Sequence, residues 1–263
     1  VGKNALGVAT SGNSNTAVGA NSLQTVDGTQ NTAVGTDALN ADCVSNNTAV
    51  GREALYAFTG SDATAVGSGA ADSAVGQTNL TAVGRLALSA ATSGNDNTAV
   101  GQGSLQTVDG AQNTAVGSGA LAADCVHSNT AVGYYALTAF TGSNATAVGD
   151  GAADAATSAT FLTAVGKGAL GACTEGLENT ALGADALAAV TTGDYNTAVG
   201  VTAGYSTTGL RNSFFGKDAG AYASSTDDCI AIGKGALSGT AIAAATGNQN
   251  IAVGNYALDA TTS

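Results

Sequence analysis

Asn31-Thr32-Ala33-Val34-Gly35-Thr36-Asp37-Ala38-Leu39 is followed sixteen residues later by Asn47-Thr48-Ala49-Val50-Gly51-Arg52-Glu53-Ala54-Leu55. Thr-Ala-Val-Gly, or a near variant, recurs along the whole 263-residue chain. Its glycines fall at Gly2, Gly19, Gly35, Gly51, Gly67, Gly84, Gly101, Gly117, Gly133, Gly149, Gly166, Gly183, Gly200, Gly216, Gly233 and Gly254. Successive glycines are 16 or 17 residues apart, except the last pair, which are 21 apart and enclose an extra Ala-rich stretch around Ile242 to Thr246. Leu182, Phe215 and Ile232 take the place of Val in three copies and keep it apolar. A fixed period of this kind marks a repeat architecture.

The length of the unit decides which repeat. Two-helix units need roughly 33–34 residues and leucine-rich units roughly 20–29, and Gly, Thr and Asn at fixed places are poor helix formers. Thr-Ala-Val is short, β-branched and bounded by Asn and Gly, which are strand and turn signals. One unit therefore reads as one coil of an all-β, parallel β-solenoid, or β-roll. A first strand lies on Asn-Thr-Ala-Val, a Gly turn follows, and a second strand on Ala-Leu-x-x-x leads to a turn home. About fifteen coils of 16–17 residues, stacked at roughly 4.8 Å, make a rod on the order of 70 Å long.

The columns of such a stack can be read directly. Asn stands four residues before the motif Gly in ten of fifteen coils, among them Asn15, Asn31, Asn47, Asn97, Asn179 and Asn250. Stacked Asn can form an amide ladder, or it can simply mark a turn. Leu stands four after the Gly at Leu23, Leu39, Leu55, Leu105 and Leu237 and reads as core. Ala71, Ala153, Gly204 and Gly220 replace it elsewhere, which predicts a narrower core there.

Side chains of the motif strand alternate between two faces. Thr and Val share one and Ala takes the other, and none of these positions is charged. One face must turn outward, giving an uncharged strip of about 700 Å² at standard strand spacing. That exceeds the roughly 300–600 Å² of the largest apolar patch on a typical monomer. The expectation is that sister chains cover it, two copies around a threefold axis. Ala17, Ala33, Ala49, Ala99, Ala115 and Ala131 are candidate interface residues, because Ala permits close approach. A second reading points the Thr-x-Val columns outward to bind ice or another flat surface. A third leaves the strip as an inert face of a monomer.

A longer period lies over the short one. Residues 15–96 align without gaps on 97–178, so a five-coil block is duplicated within what reads as a single repeat domain over 1–263. Arg52-Glu53 becomes Tyr134-Tyr135 between the blocks, just after the motif Gly, which marks an outward turn. Arg52, Glu53, Tyr134 and Tyr135 are therefore candidate exposed contacts, and Arg85 and Tyr256 are further bulky turn residues. Val1-Gly2 ends a motif and Ala257-Leu258 opens one, so the chain reads as a fragment of a longer protein.

Composition limits the chemistry. Thirty-eight Gly, no Pro, Met or Trp and only 10% charged residues are unlike an average enzyme. A net charge of -12 disfavours nucleic acid and anionic membranes as partners. No apolar run approaches the roughly 18 residues of a membrane span. Cys43, Cys125, Cys173 and Cys229 lie too many coils apart for the disulfides considered, and read as free buried thiols. His127, the only histidine, aligns with Ser45 of the first block and reads as a solvated turn residue. The acids Asp227-Asp228, Glu175 and Glu178 lie in non-equivalent turns, and Asp27-Gly28 and Asp109-Gly110 lack any calcium-loop pattern. No catalytic, cofactor-binding or metal-binding residue is assigned, and no enzyme activity is expected.

The unit Asn-Thr-Ala-Val-Gly-x-x-Ala-Leu resembles repeats of phage tail-fibre and related surface proteins. It is also similar to the Ser-Val-Ala-Ile-Gly repeat in the heads of YadA-like trimeric autotransporter adhesins. The resemblance covers essentially the whole chain and implies a left-handed β-roll, three chains side by side, and a role in attachment. The expected function is a stiff trimeric segment of a tail fibre or cell-surface adhesin. It would be extracellular and would space or present a part that meets a host glycan or receptor. The alternative is an ice- or surface-binding solenoid.

Overall fold

Thr and Val flank Ala on a pleat that suits β-branched side chains, and Asn and Gly close it off at either end. In each coil this triplet forms a three-residue strand. The computed structural model describes residues 1–7, 11–25, 27–239 and 248–259, in two compact units, Val1–Asn129 and Thr130–Ser263. Val26 and the extra stretch around Ile242 to Thr246 lie outside the described residues.

The first unit carries β1 (Thr16–Val18), β2 (Thr32–Val34), β3 (Thr48–Val50), β4 (Thr64–Val66), β5 (Thr81–Val83), β6 (Thr98–Val100) and β7 (Thr114–Val116). The second carries β8 (Thr130–Val132), β9 (Thr146–Val148), β10 (Thr163–Val165), β11 (Thr180–Leu182), β12 (Thr197–Val199), β13 (Ser213–Phe215), β14 (Ile230–Ile232) and β15 (Ile251–Val253). Within each unit the strands pair in chain order, all parallel. The register is that of the repeat, Thr32 on Thr48, Ala33 on Ala49, Val34 on Val50. In the second unit Thr163 lies on Thr180 and Ala164 on Ala181. The chain is thus the all-β parallel solenoid that its period predicts, with no helix among the described residues.

The second strand expected on Ala-Leu-x-x-x does not form; turns replace it. The cause is a left-handed backbone at three non-motif places in most coils, as at Asp37 (φ 57°), Leu39 (φ 47°) and Asn46 (φ 64°). A strand would send Ala38 and Leu39 to opposite faces. The left-handed Leu instead brings both into the interior, fully buried. It also reverses the direction of the peptide bonds. Asp37 N–H donates to Ala20 O of the coil before at 2.9 Å, whereas Leu39 N–H donates to Ala54 O of the coil after at 3.0 Å. The left-handed conformation costs an L-residue about 1–2 kcal/mol. Burying the Leu side chain returns roughly 1.5–3 kcal/mol, so the turn is sustained by its own core residue.

The motif glycine is fixed by crowding. Gly35 has φ +142°, and a Cβ there would stand 2.3 Å from Gly51 O in the next coil. No side chain fits that gap.

The core does not narrow at Gly204 and Gly220. Phe214 takes the inward place of Ala in β13, lying in register between Ala198 and Ala231, and is fully buried. A Cβ on Gly204 would meet Phe214 Cδ2 at 2.7 Å, and one on Gly220 would meet its ring at 2.5 Å. One ring therefore fills the room of two missing leucines. Phe214→Ala is expected to cost about 3–5 kcal/mol in urea denaturation, as large core truncations do. Adding Gly204→Leu and Gly220→Leu to that variant should restore most of the loss. Both glycines already hold φ near +60°, close to the conformation that Leu adopts in the other coils.

Candidate interaction surfaces

The motif strands present Ala inward and Thr and Val outward. Ala33, Ala49, Ala99, Ala115 and Ala131 are fully buried and Ala17 is 8% exposed. These candidate interface residues therefore cannot meet another chain. Their methyl groups are part of the core. The outward surface belongs to the other two columns. Val34, Val66, Val100 and Val116 are 36–38% exposed, and the Thr column is half-buried to exposed. At standard strand dimensions this uncharged strip covers about 340 Å² on the first unit and about 380 Å² on the second. Each alone matches the largest, often functional, patch of an ordinary monomer.

Behind the strip runs the asparagine column, fully buried at Asn31, Asn47, Asn97, Asn113, Asn129, Asn179, Asn196 and Asn212. It is a ladder, but mostly not one of amide on amide. Asn47 Oδ1 accepts from Ala63 N at 3.0 Å, and Asn47 Nδ2 donates to Gly60 O at 3.1 Å. Asn31 and Asn113 repeat the pattern, each accepting from the main chain of the next Asn at 2.9 Å. Asn212 also donates directly to the amide of another rung, Asn196 Oδ1 at 3.0 Å. Each side chain thus ties the entry of one strand to the homeward turn of the next coil.

The turn residues after the motif Gly do face out. Arg52 pairs with Glu53 at 2.7 Å. Tyr134 and Tyr135 meet edge to face at 4.2 Å between centroids and are 54% and 44% exposed. Elsewhere Arg211 makes a two-pronged pair with Asp228 at 2.6 and 3.0 Å. The guanidinium holds the Asp228 carboxyl below its usual range.

All four cysteines are buried, and none forms a disulfide among the described residues. Burial pushes the Cys43 and Cys125 thiols up to about 11 and raises Cys173 as well. Cys125 and His127 share a shallow cleft with Asp109 and Asp124. A nucleophile needs a lowered thiol pKa, which is the opposite of what burial does here. His127 Nδ1 is occupied too, accepting from Ala111 N at 2.9 Å. In the sister block Ser45 Oγ does the same for Thr29 N at 3.0 Å. The histidine fills a turn-bracing place that a hydroxyl fills equally well. Among the described residues no three His, Cys, Asp or Glu side chains converge as a metal site, and no helix is long and apolar enough to cross a membrane.

One concave site was not singled out from the sequence. In the second unit Tyr205, Tyr222 and Tyr256, together with Asp218 and Asp259, line a cavity of about 430 Å³. The tyrosines stand at three different offsets from their motif glycines, so no column announces them. Small residues, Ala221 and Gly235, leave the gap between them.

No family model matches the sequence, and no curated protein matches it.

Two outcomes are expected. Asn47→Ala should lose about 1–3 kcal/mol for each of the two buried main-chain groups it leaves unpaired, read by urea denaturation. A thiol reagent at pH 8 should leave the native cysteines unlabelled and label all four in denaturant. Because the fold favours the neutral thiol, that stabilisation is complete below the ordinary value of 9.0 and is lost as pH rises toward about 11.

Proposed function

We propose that the chain is a structural segment of a trimeric extracellular fibre, in a phage tail fibre or a cell-surface adhesin. Its stacked coils space or present a part that meets the host surface, a glycan or a protein receptor. The observation that carries this reading is the outward Thr-x-Val strip. It is uncharged, in register, and present on both units. A regular apolar strip of Val side chains more than one third exposed is stabilised when identical strips pack together, and around a threefold axis each chain offers the same surface. The likeness of the unit to tail-fibre and adhesin-head repeats supports the same conclusion. Catalysis has no part in this reading, since the single histidine braces a turn and burial favours the neutral thiol at Cys43, Cys125 and Cys173. The net charge of -12 likewise sets nucleic acid aside.

The stacked Thr column supports a second reading, in which the strip orders water and binds ice or another flat lattice. Light scattering separates the two. The fibre reading expects three times the 24.9 kDa of one chain, and a fall to a single chain when Val100→Lys and Val116→Lys place charge in the strip. A monomer that produces thermal hysteresis, lost in the same variant, would replace the fibre reading with the second one.

A further inference from the structure

We propose that the tyrosine-lined cavity of the second unit is a binding site for a neutral pyranose sugar. This goes beyond the fibre reading and asks nothing of a second chain, because every lining residue belongs to one unit.

Three features point to a sugar. The first is size: about 430 Å³ lies within the roughly 300–1,000 Å³ of small-molecule sites. The second is the aromatic lining. Tyr205, Tyr222 and Tyr256 remain 41%, 50% and 53% exposed, so their rings are open to the C–H face of a pyranose. The ring of Tyr256 is held in place, with Gly235 so close that a Cβ there would stand 2.8 Å from Cδ1. Lys234 Nζ lies 5.3 Å from the centroid of the same ring.

The third feature is the acceptor set. Asp218 and Asp259 each take one neighbouring hydroxyl on Oδ1, from Thr202 and from Ser238 respectively. Asp259 Oδ2 has no partner among the described residues, and Asp218 Oδ2 faces Lys217 Nζ at 3.5 Å, with Lys234 also near enough to feel its charge. Carboxylate oxygens beside open rings accept from sugar hydroxyls with charge-assisted strength. A sugar hydroxyl can donate to these carboxylates, whereas a sugar carboxylate adds an acceptor with no proton to offer them, which favours a neutral sugar. Both nearby ammonium groups are engaged, Lys217 on Asp218 and Lys234 on Tyr256.

Saturation-transfer NMR on the full chain tests this, with methyl β-glucoside, methyl β-galactoside, N-acetylneuraminic acid and tri-lysine as probes. The expected result is transfer from tyrosine protons to ring protons of at least one neutral glycoside and none to the acid. The signal should fall about tenfold in Tyr205→Ala/Tyr222→Ala, as on truncating anchoring aromatics. It should persist in Tyr205→Phe/Tyr222→Phe and in Tyr134→Ala. Circular dichroism confirms that each variant folds. Transfer to neither glycoside, transfer unchanged in the double Ala variant, or preference for the acid or tri-lysine would overturn the proposal. The mass measurement above is independent, so loss of the sugar site leaves the fibre reading standing, and the reverse.

Discussion

Each residue in this chain must tolerate a near-copy of itself one coil away, because the main-chain partners of a coil lie in its neighbours. A coil of 16 or 17 residues is too small to satisfy its own backbone groups. It does so by donating alternately up and down the stack, Gly35 to Val18 O behind and Thr32 to Asn47 O ahead, both at 2.8 Å. Identity between coils follows from that constraint. The motif glycine has a carbonyl where its side chain would be, and the asparagine works by reaching the next coil's main chain. A side chain at the motif glycine would collide with the next coil, and loss of an asparagine such as Asn47 leaves two main-chain groups of the next coil without their partner.

Much of this was legible in the sequence. The period gave the coil and its register, the strand composition gave the motif strand, and the placement of Leu gave a core column, while Asn showed as a stacked column that could be a ladder or a turn. The inward turn of Ala was not legible, because alternation states only that Ala opposes Thr and Val. Which side faces in depends on the width of the coil, and the turn chemistry sets that width. The missing second strand has the same origin. Leu in a left-handed conformation is rare, and nothing in a Leu's identity announces it.

The surfaces were less readable than the core. Arg52, Glu53, Tyr134 and Tyr135 stood out because two aligned blocks differ there, and they are indeed on outward turns. The cavity bounded by Tyr205, Tyr222 and Tyr256 lies beyond the duplicated blocks, so no sister sequence exposes it by contrast. It arises where tyrosines on three coils meet small residues, Ala221 beside Tyr222 and Gly235 on the coil before Tyr256. Such a relation across coils is invisible until the offsets are placed in space.

Phe214 and its two glycines bear on how such a chain can change. Arrays of near-identical units lengthen, shorten and shuffle when their coding repeats recombine out of step. Most joints are harmless, since one coil serves as well as another. A crossover between residues 204 and 220 is different: it would leave the ring facing a leucine in one product and a lone glycine facing a void in the other. That stretch must be inherited whole, a small linked block in an otherwise interchangeable series.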